Sequence, residues 1–195
     1  MSTNLLFITV PEADHKLIDL VLTQLRHWNL ESSDRFQIVT TRNAHDLRSA
    51  PGAAGKDDTD TTGEANNNNA WAGAALEDVE AFCLELARDQ ENNDNENENE
   101  NMDYGTSMYV AVDSTGAQAD SCILVHRAHD PEAEGFAWLD RFDKMRIPWG
   151  KLRTPWNNLS IANMDFEEFT RKCDDGRDRE GVDGWFTFMD LEGDD

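Results

Sequence analysis

Three uninterrupted apolar runs constrain the fold of this chain more than any other feature. Residues 5–10, 107–112 and 122–125 lack the regular alternation of apolar and polar residues that marks a strand with one face in water. Each run is typical of a strand buried on both faces, and the first belongs at the centre of a sheet. The turn residues 113–116 leave a short connection between the second and third runs, so these two strands should pair antiparallel.

The residues that follow the first run predict a βαβ unit. Pro11 can begin a helix, and apolar residues then recur on one helical face as far as Trp28. Residues 36–41 have the composition of a second strand, and the crossover should be right-handed if the two strands are parallel. Another amphipathic helix is predicted within residues 71–89. We therefore expect an α/β fold, with α+β as the alternative: one small mixed sheet flanked by helices, in a single domain of residues 1–195.

Two polar tracts interrupt the apolar patterns. Residues 51–70 consist mainly of Gly, Ala, Asp, Thr and Asn, and residues 90–106 include a stretch in which Glu alternates with Asn. Neither tract has enough apolar surface to offset the conformational entropy lost on ordering, so both are predicted to be disordered acidic or Asn-rich insertions. The acidic tail, residues 190–195, is expected to be frayed.

The charge balance limits the choice of partners. Lys and Arg total 17 against 40 Asp and Glu, which gives a formal net charge of −23 at pH 7. Such a surface repels the phosphates of nucleic acids and anionic lipids, so neither nucleic acid nor a membrane is an expected partner. A basic protein is the partner that this charge favours.

Cysteine usage and the length of the apolar runs indicate the compartment. The chain has three cysteines at wide spacing and no CxxC pair, so no disulfide framework is implied and a reducing compartment fits. No apolar run reaches the length of a signal-peptide core or a membrane span. We therefore expect a cytoplasmic protein, whose size would also permit entry into the nucleus.

The residues from Asp165 onward carry the most specific local signal. Asp165 is a predicted N-cap, and Glu168 lies at the third helical position, from which its carboxylate can complete a capping box. Phe166 and Phe169 share one helical face and should be buried. The pattern predicts a helix that continues to a stop at Gly176.

The neighbouring segments are assigned from their spacing. Apolar residues recur at every third position from Phe136 to Met145, which favours a short helix over a strand. Residues 149–156 are expected to form a helical turn or loop, and residues 159–162 a short extended entry. Residues 185–189 should form a last strand.

The C-terminal third resembles a known family. The sequence NNLSIANMDFEEF, preceded by MRIPWGKL and followed by DGWFTF, is similar to the C-terminal signature of a small family of uncharacterised bacterial and fungal proteins, classed as a domain of unknown function. The similarity is good over residues 145–188, weaker over the N-terminal strand and helix, and absent from the polar tracts. It implies a strand with an Arg, a short helical link, the Asn-rich segment with its helix, and a Gly-plus-aromatic end. It brings no activity, cofactor or catalytic residue.

A cluster at the end of the third apolar run is the candidate metal site, with His126, His129 and Asp130 as ligands. The two histidines are three positions apart and acidic residues follow them, so imidazole and carboxylate groups could meet around one ion. The spacing does not match a HExxH site, however, and an exposed polar turn explains the same residues without a metal.

Two further groups are candidates for binding. The asparagines could line an anion site beside a helix N-terminus, or they could satisfy backbone groups in irregular chain. These asparagines are Asn157, Asn158 and Asn163. The second group, made of Arg146, Trp149 and Trp156, could form a patch for a carboxylate or a peptide, although tryptophans also serve as core residues.

No residue is assigned to catalysis from the sequence. GxSxG, phosphate-loop and dinucleotide-binding motifs are absent, and no cofactor is implied. The leading hypothesis is a soluble intracellular interaction protein with an acidic surface and no catalytic activity. The alternative is a hydrolase-type enzyme or a metal-binding protein, with its site between the turn that carries His126 and His129 and segment 157–163. This alternative requires the two segments to lie within about 10 Å across one concave pocket.

Overall fold

The computed structural model describes residues 3–12, 15–27, 35–43, 47, 69–93, 104–130, 132–133, 137–170 and 184–189. Within these residues, six strands form one mixed sheet with helices on both faces. The strands are β1 (Thr3–Ile8), β2 (Arg35–Ile38), β3 (Tyr104–Val112), β4 (Ser121–His129), β5 (Trp138–Pro148) and β6 (Trp185–Thr187). The helices are α1 (His15–His27), α2 (Leu76–Asn93), α3 (Ser114–Gln118) and α4 (Arg153–Ser160), with 3-10 turns at Trp149–Lys151 and Phe166–Phe169.

The strand order is β2-β1-β3-β4-β5-β6. β1 pairs parallel with both β2 and β3, and β5 pairs parallel with β6. β4 runs antiparallel to its two neighbours. The expected mixed α/β sheet is therefore confirmed, together with the parallel strands of the βαβ unit and the antiparallel pairing of the second and third apolar runs.

Both faces of the sheet are covered, because side chains of the central strands alternate between two apolar clusters. Leu6 and Val110 pack with side chains from α1, α4 and the Phe166–Phe169 turn, on the side that we call the α4 face. Leu5 and Tyr109 point the other way and pack against α2, on the side that we call the α2 face.

The connection between β3 and β4 is tied to β5 by an ion pair. Asp113 accepts a hydrogen bond from the backbone N–H of Gly116 at 2.7 Å and so caps α3. Both terminal nitrogens of Arg146 donate to the Asp113 carboxylate, at 2.9 and 2.7 Å. This bidentate geometry fixes the position of the β3–β4 connection relative to β5. A Cβ at Gly116 would lie 2.6 Å from the carbonyl oxygen of Ser121, so the close approach requires glycine.

The capping box and the buried phenylalanines of the C-terminal segment are present as predicted. The backbone N–H of Asp165 donates to Oε2 of Glu168 at 2.8 Å, and Phe166 and Phe169 are 3% and 1% exposed. The predicted length of the helix is wrong, because the 3-10 turn ends at Phe169 and Thr170 is extended. Thr170 instead forms a β-bridge with Phe188, so its backbone pairs with the chain after β6. The predicted stop at residue 176 lies outside the described residues.

Two assignments made from spacing are wrong. The segment expected to be a short helix forms β5, where pairing with β4 outweighs the local three-residue spacing. Phe142 and Met145 consequently lie on opposite faces, the first on the α2 face and the second on the α4 face. Leu159 belongs to α4 rather than to an extended entry, and Ile161 after it is 73% exposed. The helical character expected of residues 149–156 is confirmed.

Only the edges of the predicted insertions fall within the described residues. Residues 48–68, 94–103 and 190–195 lie outside the described residues. Asn69, by contrast, donates from Nδ2 to the carbonyl oxygen of Ile8 at 2.6 Å. α2 continues through Asn93, and β3 begins at Tyr104. None of the helices among the described residues is long and apolar enough to cross a membrane.

The burial of Phe169 generates a stability prediction. Phe169→Ala should lower the free energy of unfolding by about 3–5 kcal/mol, because it removes a ring that is 1% exposed and leaves a cavity. The matched control is Ile161→Ala, which truncates a side chain that is 73% exposed and should change stability by less than about 0.5 kcal/mol. Urea denaturation of both variants measures the difference. Equal losses would contradict the anchoring role of Phe169.

Candidate functional site

A cavity of about 400 Å³ opens on the α4 face, between the sheet and the chain that follows α4. Its volume is in the range of small-molecule sites. β3, β4 and β5 contribute one wall, made of Ser107, Met108, His126, Ala128, His129, Trp138, Arg141 and Asp143. The end of α4 and the turn after it contribute the other, made of Leu159, Ser160, Ala162, Met164, Asp165, Phe166 and Glu167.

His126 and His129 both line this cavity although they are three positions apart on β4. Regular pleating would send residues at an odd separation to opposite faces of the sheet. The pairing of β4 with β5 shifts register between Arg127 and His129, and this irregularity accounts for the shared face.

His126 is held between two aromatic rings. Its imidazole lies nearly parallel to Phe166, with a centroid distance of 6.0 Å and an interplanar angle of 17°. Trp138 meets it edge to face at 5.7 Å. Burial lowers the pKa of His126 from 6.5 to about 4; repulsion from His129 adds to the shift, and the Asp165 carboxylate opposes it. The imidazole is therefore neutral at pH 7 and adds no positive charge to the cavity.

The charged groups around the cavity are mainly acidic. Asp143, Asp165 and Glu167 line it together with one guanidinium, that of Arg141. Asp143 pairs with His126 in the register of β4 and β5 and is 7% exposed. Asp165 and Glu167 are exposed at the start of the 3-10 turn. Carboxyl groups therefore outnumber guanidinium groups by three to one in the lining.

The backbone is strained at one point of the lining. Ala162 has φ +51°, a left-handed conformation that costs a non-glycine residue about 1–2 kcal/mol. Its N–H donates to the carbonyl oxygen of Leu159 at 3.1 Å, and the N–H of Asn163 donates to that of Asn158 at 2.9 Å. These bonds end α4 and turn the chain along the cavity.

The three asparagines predicted to bind an anion lie at the carboxyl end of α4 and outside the cavity lining. Nδ2 of Asn158 donates to the carbonyl oxygen of Thr154 at 2.9 Å, and Nδ2 of Asn163 donates to Oδ1 of Asn158 at 2.7 Å. The carbonyl oxygen of Asn157 accepts a bond from the Ser160 hydroxyl at 2.9 Å. In these contacts the asparagine segment satisfies local chain groups, which is the other role that the sequence allowed.

The predicted Arg and Trp patch does not come together on the surface. Trp149 and Trp156 are 4% and 0% exposed and belong to the core of the α4 face. Trp156 packs against Phe36 with a centroid distance of 4.8 Å. Arg146 is paired with Asp113 at the other end of β5 from the cavity. The structure thus gives both tryptophans the core role.

The residues predicted as metal ligands are only partly brought together. His126 and His129 share the cavity, whereas Oδ1 of Asp130 accepts the N–H of Glu132 at 2.9 Å and shapes the turn after β4. In the described part of the chain, no group of three or more His, Cys, Asp or Glu residues is placed to hold a metal ion.

The sequence missed Trp138, Asp165 and Glu167 as site residues. Trp138 was not recognised as a neighbour of the β4 histidines because its segment was predicted to be a helix and not a strand paired with β4. Helix capping explains Asp165, and the favourable position of a negative charge in a first helical turn explains Glu167, so neither indicated a site. Only the fold of the turn onto β4 and β5 places them at a cavity.

The buried imidazole generates a pH prediction. In the unfolded chain His126 takes up a proton near pH 6.5, whereas in the folded protein it does so only near pH 4. Stability should therefore fall by about 3 kcal/mol as the pH decreases from 6.5 to 4, and His126→Phe should lose this component. Urea denaturation across this range measures it. The exposed His27, replaced by Phe, is the control, and parallel curves for wild type and His126→Phe would contradict the prediction.

Comparison with known proteins assigns the family. No curated protein and no solved structure matches the chain. One family profile matches residues 42–181, which is most of the chain and includes every residue that lines the cavity. The protein therefore belongs to the family described as Domain of unknown function (DUF6924).

Proposed function

We propose that the protein is a non-catalytic binding protein, and that the cavity on the α4 face receives a basic segment of a protein partner. The observation that carries this proposal is the position of Asp165 and Glu167. Both carboxylates are exposed and line a cavity whose lining also includes apolar side chains such as Met108 and Leu159. A cavity lined by apolar side chains together with carboxylates suits a long side chain that ends in a positive charge.

The charge of the whole chain supports a basic partner. A formal net charge of −23 attracts a positively charged protein over distances of about one Debye length and raises the association rate. The same charge disfavours binding to nucleic acid and to anionic lipid.

The acidic edge is held by a rigid turn. The capping box fixes Asp165 and Glu168, while Phe166 and Phe169 anchor the same turn in the core. Glu167 lies between these anchors and is not part of the capping box. The backbone at Glu167 is therefore preorganised and loses little conformational entropy on binding, which favours affinity.

The contacts in the cavity support binding over hydrolysis. The cavity is lined by both segments that the enzyme hypothesis requires, with His126 from one and Ser160 from the other. A general base works best with a pKa near the operating pH, however, and that of His126 is about 4. The Ser160 hydroxyl donates to the carbonyl oxygen of Asn157, so in this structure its proton is directed to the backbone of α4 and not to a general base.

A cytoplasmic location belongs to the same proposal. Cys83 and Cys122 are free thiols in the core, as suits a protein of a reducing compartment.

Glu167→Gln should weaken binding of a lysine-rich peptide by about twofold to fivefold, because one rim charge contributes roughly 0.3–1 kcal/mol. Isothermal titration calorimetry at low and moderate salt measures the change. Glu85→Gln is the matched control, since it makes the same chemical change at an exposed position on α2, across the sheet from the cavity. Equal effects of the two substitutions would mean that binding depends only on the net charge of the protein, and the proposed site would be wrong.

A further inference from the structure

An aromatic wall runs along the cavity. Trp138, His126 and Phe166 all line it, and successive ring centroids are 5.7 and 6.0 Å apart. Behind Phe166, the ring of Phe186 packs edge to face at 5.5 Å and supports the wall from the core. The rings are therefore held in fixed positions, as a recognition surface requires.

Trp138 is the ring best placed to meet a ligand. It is partly exposed, whereas Phe166 is 3% exposed. The face of an indole carries the most negative quadrupole potential of the natural aromatic side chains, so it attracts organic cations. Elsewhere in the chain, Arg42 lies 4.9 Å from the Trp71 centroid and shows the same kind of contact.

The electrostatic surroundings of Trp138 favour the same class of ligand. The neighbouring His126 is neutral at pH 7 because its pKa is about 4, so it does not repel a cation. Asp143, Asp165 and Glu167 provide carboxyl groups against the single guanidinium of Arg141.

We infer that the cavity binds an alkylammonium group, with Trp138 as the aromatic platform and the carboxylates of Asp165 and Glu167 as counter-charges. The inference rests on the binding function proposed above and names the chemical group that the site recognises. Methylated ammonium groups should bind most tightly, because they present fewer N–H donors that need partners and are less costly to desolvate. Such a group can come from a methylated lysine of a partner protein or from a free choline-like molecule.

The first experiment separates charge from shape. Choline and 3,3-dimethylbutan-1-ol differ in replacing the quaternary nitrogen by carbon, so both fit the same space and only choline is charged. Titration of the full chain, followed by NMR of the indole N–H signals, should give a dissociation constant for choline about twofold to thirtyfold lower than for the alcohol. Equal binding of the two, or no binding of either, would overturn the inference.

The second experiment tests Trp138 as the platform. Trp138→Phe should weaken choline binding and Trp138→Leu should reduce the preference for choline over the alcohol to the part that the carboxylates supply, since the ring quadrupole decreases and then disappears. Trp185→Phe is the matched control, because Trp185 packs on the α2 face and its replacement should leave choline binding unchanged. The signal lost in Trp138→Phe also identifies the indole of Trp138. An unchanged preference in Trp138→Leu would show that the platform lies elsewhere and would overturn the assignment.

The third experiment identifies the source and separates this inference from the function on which it rests. A peptide with one trimethyllysine should bind more tightly than the unmodified peptide if the ligand belongs to a partner protein, whereas choline should bind as tightly as the modified peptide if the ligand is a free molecule. If an unmodified lysine-rich peptide binds in a Glu167-dependent manner while choline does not bind, the proposed function stands and the alkylammonium inference fails. If choline binds and no basic peptide does, the partner proposal fails while the ligand class stands.

Discussion

The fold depends on the need to cover both faces of the central strands. β1, β3 and β4 carry apolar side chains on each side, so a single layer of helices would leave one face in water. α2 covers one face, and α1 covers part of the other. The remainder of that second face is closed by α4 and by the short turn at Phe166–Phe169, whose rings enter the same core.

The cavity follows from this second cover. α4 spans eight residues and the turn four, so the α4 face is closed over the ends of β3, β4 and β5 by short pieces joined through a strained residue, Ala162. Side chains from both walls then meet without filling the space. Desolvation in this space keeps His126 neutral, while the carboxylates of the turn stay at its edge. An aromatic interior beside acidic groups is the physical basis of both proposals.

Particular elements show which features of the fold local sequence patterns predict. The apolar runs identified β1, β3 and β4, and the capping box identified the turn at Asp165, because burial and capping are read from neighbouring residues. The spacing from Phe136 to Met145 predicted the wrong element, since β5 gains its backbone hydrogen bonds by pairing with β4 and β6. The prediction of an extended segment at residues 159–162 was wrong for a related reason. Leu159 completes the buried face of α4, and this face is buried only because it packs on the sheet.

The sequence by itself determined which strands are buried, which turn anchors the C-terminal segment and how negative the net charge of the chain is. Each of these properties resides in residues close together along the chain or in their total number. Only the tertiary structure decided that Trp138 and Phe166 meet His126, and that Asp165 and Glu167 border the same cavity as the β4 histidines. Those contacts depend on the register between β4 and β5 and on its shift near His129. Register is set by pairing between distant segments, which no local pattern encodes.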